Sequence, residues 1–151
     1  MTKLTKLTLE VAKALLHYAE RKAKELGISE DIAIVDDGGH LIAFHRMDDA
    51  RLAGIDIAQN KAWTAVAMKM PTSNLAKSAL PNGPLYGINT TNQGRVVVLS
   101  GGIPLVREGR IVGAIGVSGG SGEQDVAVAN AAVQAFESYA HARIGTANNF
   151  M

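Results

Sequence analysis

The chain contains no cysteine. Disulfides, thiolate nucleophiles, cysteine-ligated zinc and covalently attached c-type haem are therefore excluded. Aromatic residues make up only 5%, so a core must be assembled mainly from Ala, Val, Ile and Leu. There is no excess charge either. Fifteen basic residues face fourteen acidic ones, a net of +1, with no Lys/Arg block, which speaks against a nucleic-acid binder with its basic face. No run reaches the roughly 18 apolar residues of a membrane span. The opening "MTKLTKLTLEVAKALL" lacks the apolar core and the small-residue cleavage site of a secretory signal. These absences lead to the expectation of a cytoplasmic chain with neither nucleic-acid nor membrane partners. What is present is a 47% hydrophobic share over 151 residues, enough for a buried core in one domain spanning 1–151.

Periodicity supplies the elements. Ala12, Leu15, Leu16, Ala19, Ala23 and Leu26 recur at helical spacing between a Thr8 N-cap and a Gly27 stop, predicting a first helix with one apolar stripe. His17 falls on the opposite face, near Glu10, Lys13 and Lys24. "DIAIVD" and "HLIAFHR" read as two strands joined by an Asp37-Gly38-Gly39 turn, because glycine tolerates positive φ. Both are nearly continuous apolar runs, which implies that both sheet faces are covered. "IDIAQNKAWTAVAMKM" reads as an Ala-rich helix stopped by Pro71, and a short helix capped by Thr72 or Ser73 runs to Ala79. The loop "LPNGPLYGINTTNQGR" follows, of a length that is often functional. "RVVVLS", "IPLVR" and "RIVGAIGVS" predict three more strands, the last two joined at Glu108-Gly109. A final helix is expected from Asp125 to Ala140 with Val126, Ala129, Val133 and Phe136 inward, before a loose polar tail. The order α-β-β-α-α-β-β-β-α with short turns predicts an α+β fold, a five-stranded antiparallel sheet with helices on both faces.

Several motifs fail on inspection. Gly120 and Gly122 begin a G-x-G, but Asp125 stands where a third glycine belongs and no Walker lysine follows. Four histidines form no H-x-x-x-H or H-E-x-x-H. His40 and His45 are five apart on one strand, which points them to opposite faces, and His141 is near the tail. Ser118 ends a strand without a G-x-S-x-G elbow. The stretch "VDDGGHLIAFHRMDDA" (35–50) is harder to set aside. Its polar groups divide between two ends of a hairpin. Asp37 suits a turn, and Asp48 or Asp49 suits an N-cap for the next helix. Arg46 requires a partner such as Asp48 or a ligand carboxylate, and Lys61, inside an Ala-rich helix, raises the same requirement.

Those residues, with "KAWTAV" and "GGIPLVREGRIVGAIGVSGGSGEQDVAVANAA", resemble the GlcG/HbpS-like family, which also supplies the C-terminal domain of PduO-type corrinoid adenosyltransferases. The resemblance runs from about residue 4 to 140, and its most specific part is the G-G-x-P-L…G-x-x-x-G-A-I-G-V-S-G run. It implies a profilin-like α/β/α fold and homo-oligomers, dimers or larger rings and stacks. Members are described as haem-binding or haem-degrading, some domains bind corrinoids, and they occur beside genes for glycolate, glycerol or diol use. Asp36, Arg46, Met47, Asp48, Lys61, Gly101, Gly102, Pro104 and Ser118 match the family's pattern. His17 stands where one type of member has an axial haem ligand. The adenosyltransferase domain and the Glu-x-x-Glu iron motif of some members are absent from this sequence.

The resulting expectation is a tetrapyrrole-binding accessory protein linked to glycolate, glycerol or diol metabolism, holding haem or a corrinoid at a subunit interface. Its ligand-binding residues are His17, Asp36, Arg46, Asp48 and Lys61. His17 is the axial donor to iron, and Arg46 or Lys61 pairs with a propionate. Two alternatives stand beside it. One is an enzyme acting on a small carboxylate or carbonyl compound, with Arg46 as anchor and Asp36 or His45 as proton carrier. The other is a structural oligomer supporting a neighbouring enzyme.

Overall fold

A computed structural model describes residues 6–142, with side chains up to Tyr139. His141's side chain and the tail from 143 to 151 lie outside the described residues. Helix α1 spans Leu9–Leu26. Its N-terminus is closed by Thr8, whose side chain accepts a bond from the Val11 amide at 3.2 Å. Its C-terminus is closed by Gly27 at φ 72°, a left-handed conformation that glycine adopts without steric cost. Ala12, Leu15, Leu16, Ala19 and Ala23 are buried as their spacing predicts, and Val11 joins them, while Leu26 stays exposed.

Strands β1 (Asp31–Asp36) and β2 (Leu41–Arg46) form the hairpin, followed by α2 (Ala53–Met68) and α3 (Thr72–Ser78). After a loop with two 3₁₀ turns come β3 (Gly102–Arg107), β4 (Arg110–Ser118) and α4 (Gly122–Ala142). The sheet is antiparallel throughout, in the order β2-β1-β4-β3. Helices α1 and α4 cover one face, and α2 lies across the other.

The sheet has four strands where the sequence predicts five. "RVVVLS" has strand composition, but residues 95–100 lie along α2 instead. Thr64 Oγ1 donates to the Arg95 carbonyl at 3.2 Å and accepts from the Val97 amide at 3.0 Å. The Arg95 guanidinium stacks 4.4 Å from the Trp63 ring centroid. Backbone groups that a ladder would use are thus taken by a helix side chain. Helix α2 starts two residues before the predicted segment, but not with the expected cap. Asp48 and Asp49 sit in the preceding turn rather than capping, and Leu52 occupies the N-cap without a side-chain bond.

The two faces are built differently. Beneath α1 and α4, Leu15, Leu16, Ile32, Ile34, Leu105, Ile115, Val117 and Phe136 form a conventional apolar core. Beneath α2 the layer is thin, with Ala33, Ala114 and Gly116 on the sheet and Ala58, Ala62 and Ala65 on the helix. A Cβ at Gly116 would run into the Ala58 carbonyl and come within 2.6 Å of the Ala62 nitrogen. The backbone of α2 therefore rests on the sheet itself.

Candidate functional site

The hairpin separates its polar groups as the alternation requires. At the turn, Asp36 accepts bonds from the Gly38 and His40 amides, each at 2.9 Å. Burial pushes its carboxyl upward, but those two amides and the nearby His40 ring hold it below the usual range. Asp36 is thereby occupied with closing the turn. His40 is exposed beside it, with Nδ1 at 3.3 Å.

At the other end of the ladder, Arg46 pairs in register with Asp31, and His45 with Ile32. Paired residues share a face, so His45 points toward α1 and Arg46 toward α2. His45 Nδ1 lies 2.9 Å from Glu20 Oε1, and Lys24 Nζ lies 3.1 Å from Glu20 Oε2. Lys24, aided by His45, overcomes desolvation and holds the Glu20 carboxyl below its ordinary value. His45 was expected on a strand shielded on both faces. Because β2 is an edge strand, it is exposed instead. Around this end opens a cavity of about 590 Å³ whose wall includes Lys24, His45, Arg46, Met47, Asp48 and Asp49. Arg46 is exposed and makes no ion pair within 4.0 Å among the described residues.

Lys61 is elsewhere. It is 2% exposed, and its ammonium donates to the Val117 carbonyl at 2.7 Å and to Asp125 Oδ2 at 3.1 Å. Asp125 Oδ1 in turn accepts from the Gly120 amide at 2.8 Å. Against this pair lies Glu30, which is fully buried. Burial, then the Asp125 carboxylate, raise the Glu30 carboxyl to about pH 8. A protonated Glu30 can share its proton with Asp125, which relieves two otherwise repelling carboxylates. Asp31 is also fully buried, with its carboxyl against Gly54 at the start of α2. Burial raises it, and Arg46 opposes the shift. Glu30 and Asp31 escape a sequence reading, since "SEDIAIV" looks like a polar lead into a strand. Glycine-tight crossings at Gly119 and Gly54 bring backbone close over them.

The Glu30 shift has a testable sign. A carboxyl whose folded value exceeds its unfolded value of 4.5 binds more protons in the folded state between pH 4.5 and about 8. Its contribution is complete below pH 4.5 and is lost as pH rises through about 8, so stability falls with rising pH inside that window. Glu30→Gln mimics the protonated form. Urea melts of this variant from pH 5 to 8.5 are expected to lose that downward slope, and a slope equal to the parent's would contradict the assignment.

His17 occupies a third place. It is exposed on α1, with its ring edge-on to Tyr18 at 5.8 Å between centroids, and no hydrogen bond or ion pair to a described residue engages its nitrogens. Among the described residues, no three His, Asp or Glu side chains cluster to hold a metal ion. The candidates His17, Asp36, Arg46, Asp48 and Lys61 therefore divide among an exposed helix face, a turn, a cavity shared by Arg46 and Asp48, and a buried ion pair.

The element order and the antiparallel sheet define an α+β fold, and comparison with known proteins supplies the family. The chain belongs to the family described as haem degrading protein HbpS-like, whose model matches residues 7–134. It is 39% identical over 130 residues to a 15.0 kDa protein of the dhaT-dhaS intergenic region of Citrobacter freundii, covering 86% of this chain and 92% of that one. It is 41% identical over 135 residues to the corrinoid adenosyltransferase PduO of the same organism. That match takes in 89% of this chain but only 40% of the relative. A solved structure of a PduOC–haem complex superposes with a TM-score of 0.83 at 39% identity, covering 86% of this chain and 94% of that one. No helix among the described residues is long and apolar enough to cross a membrane.

Proposed function

We propose that this chain binds a tetrapyrrole, haem or a corrinoid, with His17 as axial donor to the metal, and acts as an accessory protein in small-alcohol or hydroxy-acid metabolism. The observation that carries the reading is His17 itself. A rigid helix displays an imidazole whose ring nitrogens are not engaged by described residues, and the family and the haem complex of a 39% identical relative point the same way. The residues fit the group: a neutral imidazole is a good axial ligand, and Tyr18 beside it offers an aromatic edge. The metabolic link is supported by one relative's position between dhaT and dhaS.

One helix covers only one face of a flat macrocycle. Leu9, Tyr18 and Leu26 leave apolar surface exposed on α1, and a second copy packed there would shield the other face, as expected of a homo-oligomer. Haemin titration is expected to produce a low-spin Soret band that His17→Ala loses while His40→Ala and His141→Ala keep it. Light scattering of the same sample should exceed the 15.9 kDa of one chain. A Soret band indifferent to His17→Ala would overturn the reading. The alternative of a small-carboxylate enzyme has less support, because Asp36 and Lys61 are engaged far from the Arg46 cavity.

A further inference from the structure

We propose that the groove between α2 and the start of β2 is a separate ligand site for a small zwitterion, which sets its carboxylate on Arg95 and its ammonium on Asp56 and two α2 amide oxygens. The chemical class is an amino acid whose two charges are held apart by a short aliphatic chain. The groove encloses about 420 Å³, within the range of small-molecule sites. It lies on the α2 side of the sheet, whereas α1, which carries His17, covers the other side.

The first observation is how firmly Arg95 is placed. Thr64 binds its carbonyl and the Val97 amide. Its guanidinium stacks 4.4 Å from the Trp63 ring centroid, and that indole is pressed against Gly39, where a Cβ would collide with the ring. Just before it, Gln93 holds φ at 59°, a left-handed value that a side-chained residue keeps only where its surroundings impose it. Stacking uses the face of the guanidinium and leaves its edge of N–H donors. No carboxylate lies within 4.0 Å of that edge among the described residues. A planar fork of donors suits a carboxylate.

The second observation is a wall of acceptors. Asp56, Gln59, Asn60 and Trp63 share one stripe of α2, because steps of three, four and seven residues return to the same side of a helix. Gln59 Nε2 donates to the Ile55 carbonyl and Asn60 Nδ2 to Asp56 Oδ2, each at 3.1 Å. Both partners can only accept, which fixes the orientation of the two amides. Gln59 Oε1, Asn60 Oδ1 and Asp56 Oδ1 are left without a donor among the described residues. Asp56 also has no cation within 4.0 Å among them. A hydroxyl would satisfy one such oxygen, whereas an ammonium brings three donors and a charge that balances Asp56.

The third observation is separation. Asp56 lies seven positions before Trp63, roughly 10.5 Å along the helix axis, so the carboxylate and the Trp63-bound cation stand toward opposite ends of the groove. Val35 and Leu41 supply an apolar strip in the same wall. That order suits a carboxylate, a short methylene chain and an ammonium. A lone anion would meet Arg95 but be repelled by Asp56, and a lone amine would meet the reverse. His40, the remaining titratable group on the wall, lies 3.3 Å from Asp36, whose carboxylate is already engaged by two backbone amides.

Trp63 is the only tryptophan of the chain, so its emission reports on this groove directly. The test titrates 4-aminobutyrate and 5-aminovalerate into the parent chain, with pentanoate, pentylamine and inorganic phosphate as probes that carry one kind of charge. Calorimetry gives the affinity and Trp63 emission locates the site. At least one of the two amino acids is expected to bind and shift the emission, at least fivefold more tightly than any single-charge probe. Arg95→Gln should weaken that binding about tenfold, the scale of a charge-assisted bond. Asp56→Asn should weaken it about three- to fivefold while leaving pentanoate no weaker. Both side chains are exposed, and unchanged far-ultraviolet dichroism checks folding. Neither variant should alter haemin titration. No binding of either amino acid at millimolar concentration would overturn the proposal, as would pentanoate or phosphate binding equally well. Loss of haemin affinity in both variants would also overturn it, by merging the groove with the tetrapyrrole site.

Discussion

Lys61→Met is expected to cost on the order of 3–5 kcal/mol of folding stability, the scale for breaking a buried ion pair from one side. The ammonium is almost wholly enclosed and donates to both the Val117 carbonyl and the Asp125 carboxylate. Methionine fills similar space but donates nothing. The Val117 carbonyl would lose its side-chain donor. Asp125 and Glu30 would face each other with no cation between them, and desolvation is not recovered at a distance. Lys61→Met combined with Asp125→Asn should regain part of the loss, because the amide removes the stranded charge. Urea denaturation at pH 7 measures both, and a single-variant loss below about 1 kcal/mol would show that the ion pair is not structural. The position that resembled a ligand cation in the sequence is on this argument a fastener between α2, the end of β4 and the start of α4.

Gly116→Val is expected to be at least as damaging, leaving little or no folded protein. The side chain would have to enter the space occupied by the Ala58 carbonyl and the Ala62 nitrogen. These are helix backbone atoms, which cannot rotate away as a side chain can. Relief requires lifting α2 off the sheet, exposing Ala33, Ala62, Ala65 and Ala114 together. Overpacking of a core commonly costs about 1–3 kcal/mol where side chains can shift, and here they cannot. The control is Gly109→Asn at the β3–β4 turn. There φ is 76° and no atom lies within 4 Å of a built Cβ, and asparagine accepts left-handed turn positions readily. Its thermal midpoint should stay within a few degrees of the parent. A Gly116→Val protein that melts like the control would refute the close contact of helix and sheet.

Much of this molecule was legible from local pattern. The α1 stripe, the Thr8 and Gly27 caps, the hairpin turn at Asp37-Gly38-Gly39 and the β3–β4 turn all depend on residues near one another in the chain. Periodicity and turn chemistry act at that range, which is why they survive translation into structure. His17's outward direction follows from helix geometry alone. The family, too, was readable in a contiguous glycine-rich run, "GGIPLVREGRIVGAIGVSGG".

Tertiary structure decided the rest, for reasons of competition and distance. "RVVVLS" has every local mark of a strand, yet Thr64 and Trp63, some thirty residues earlier, hold its backbone and its arginine against α2. The apolar look of β2 suggested two covered faces, but its position at the sheet edge left His45 and Arg46 open. Whether Lys61 reaches a ligand or an aspartate depends on Asp125, 64 positions away. The burial of Glu30 and Asp31 depends on glycines at 119 and 54 allowing backbone to approach. Charge type is written in the sequence. Its environment, and therefore its chemistry, is set by which distant segments close over it.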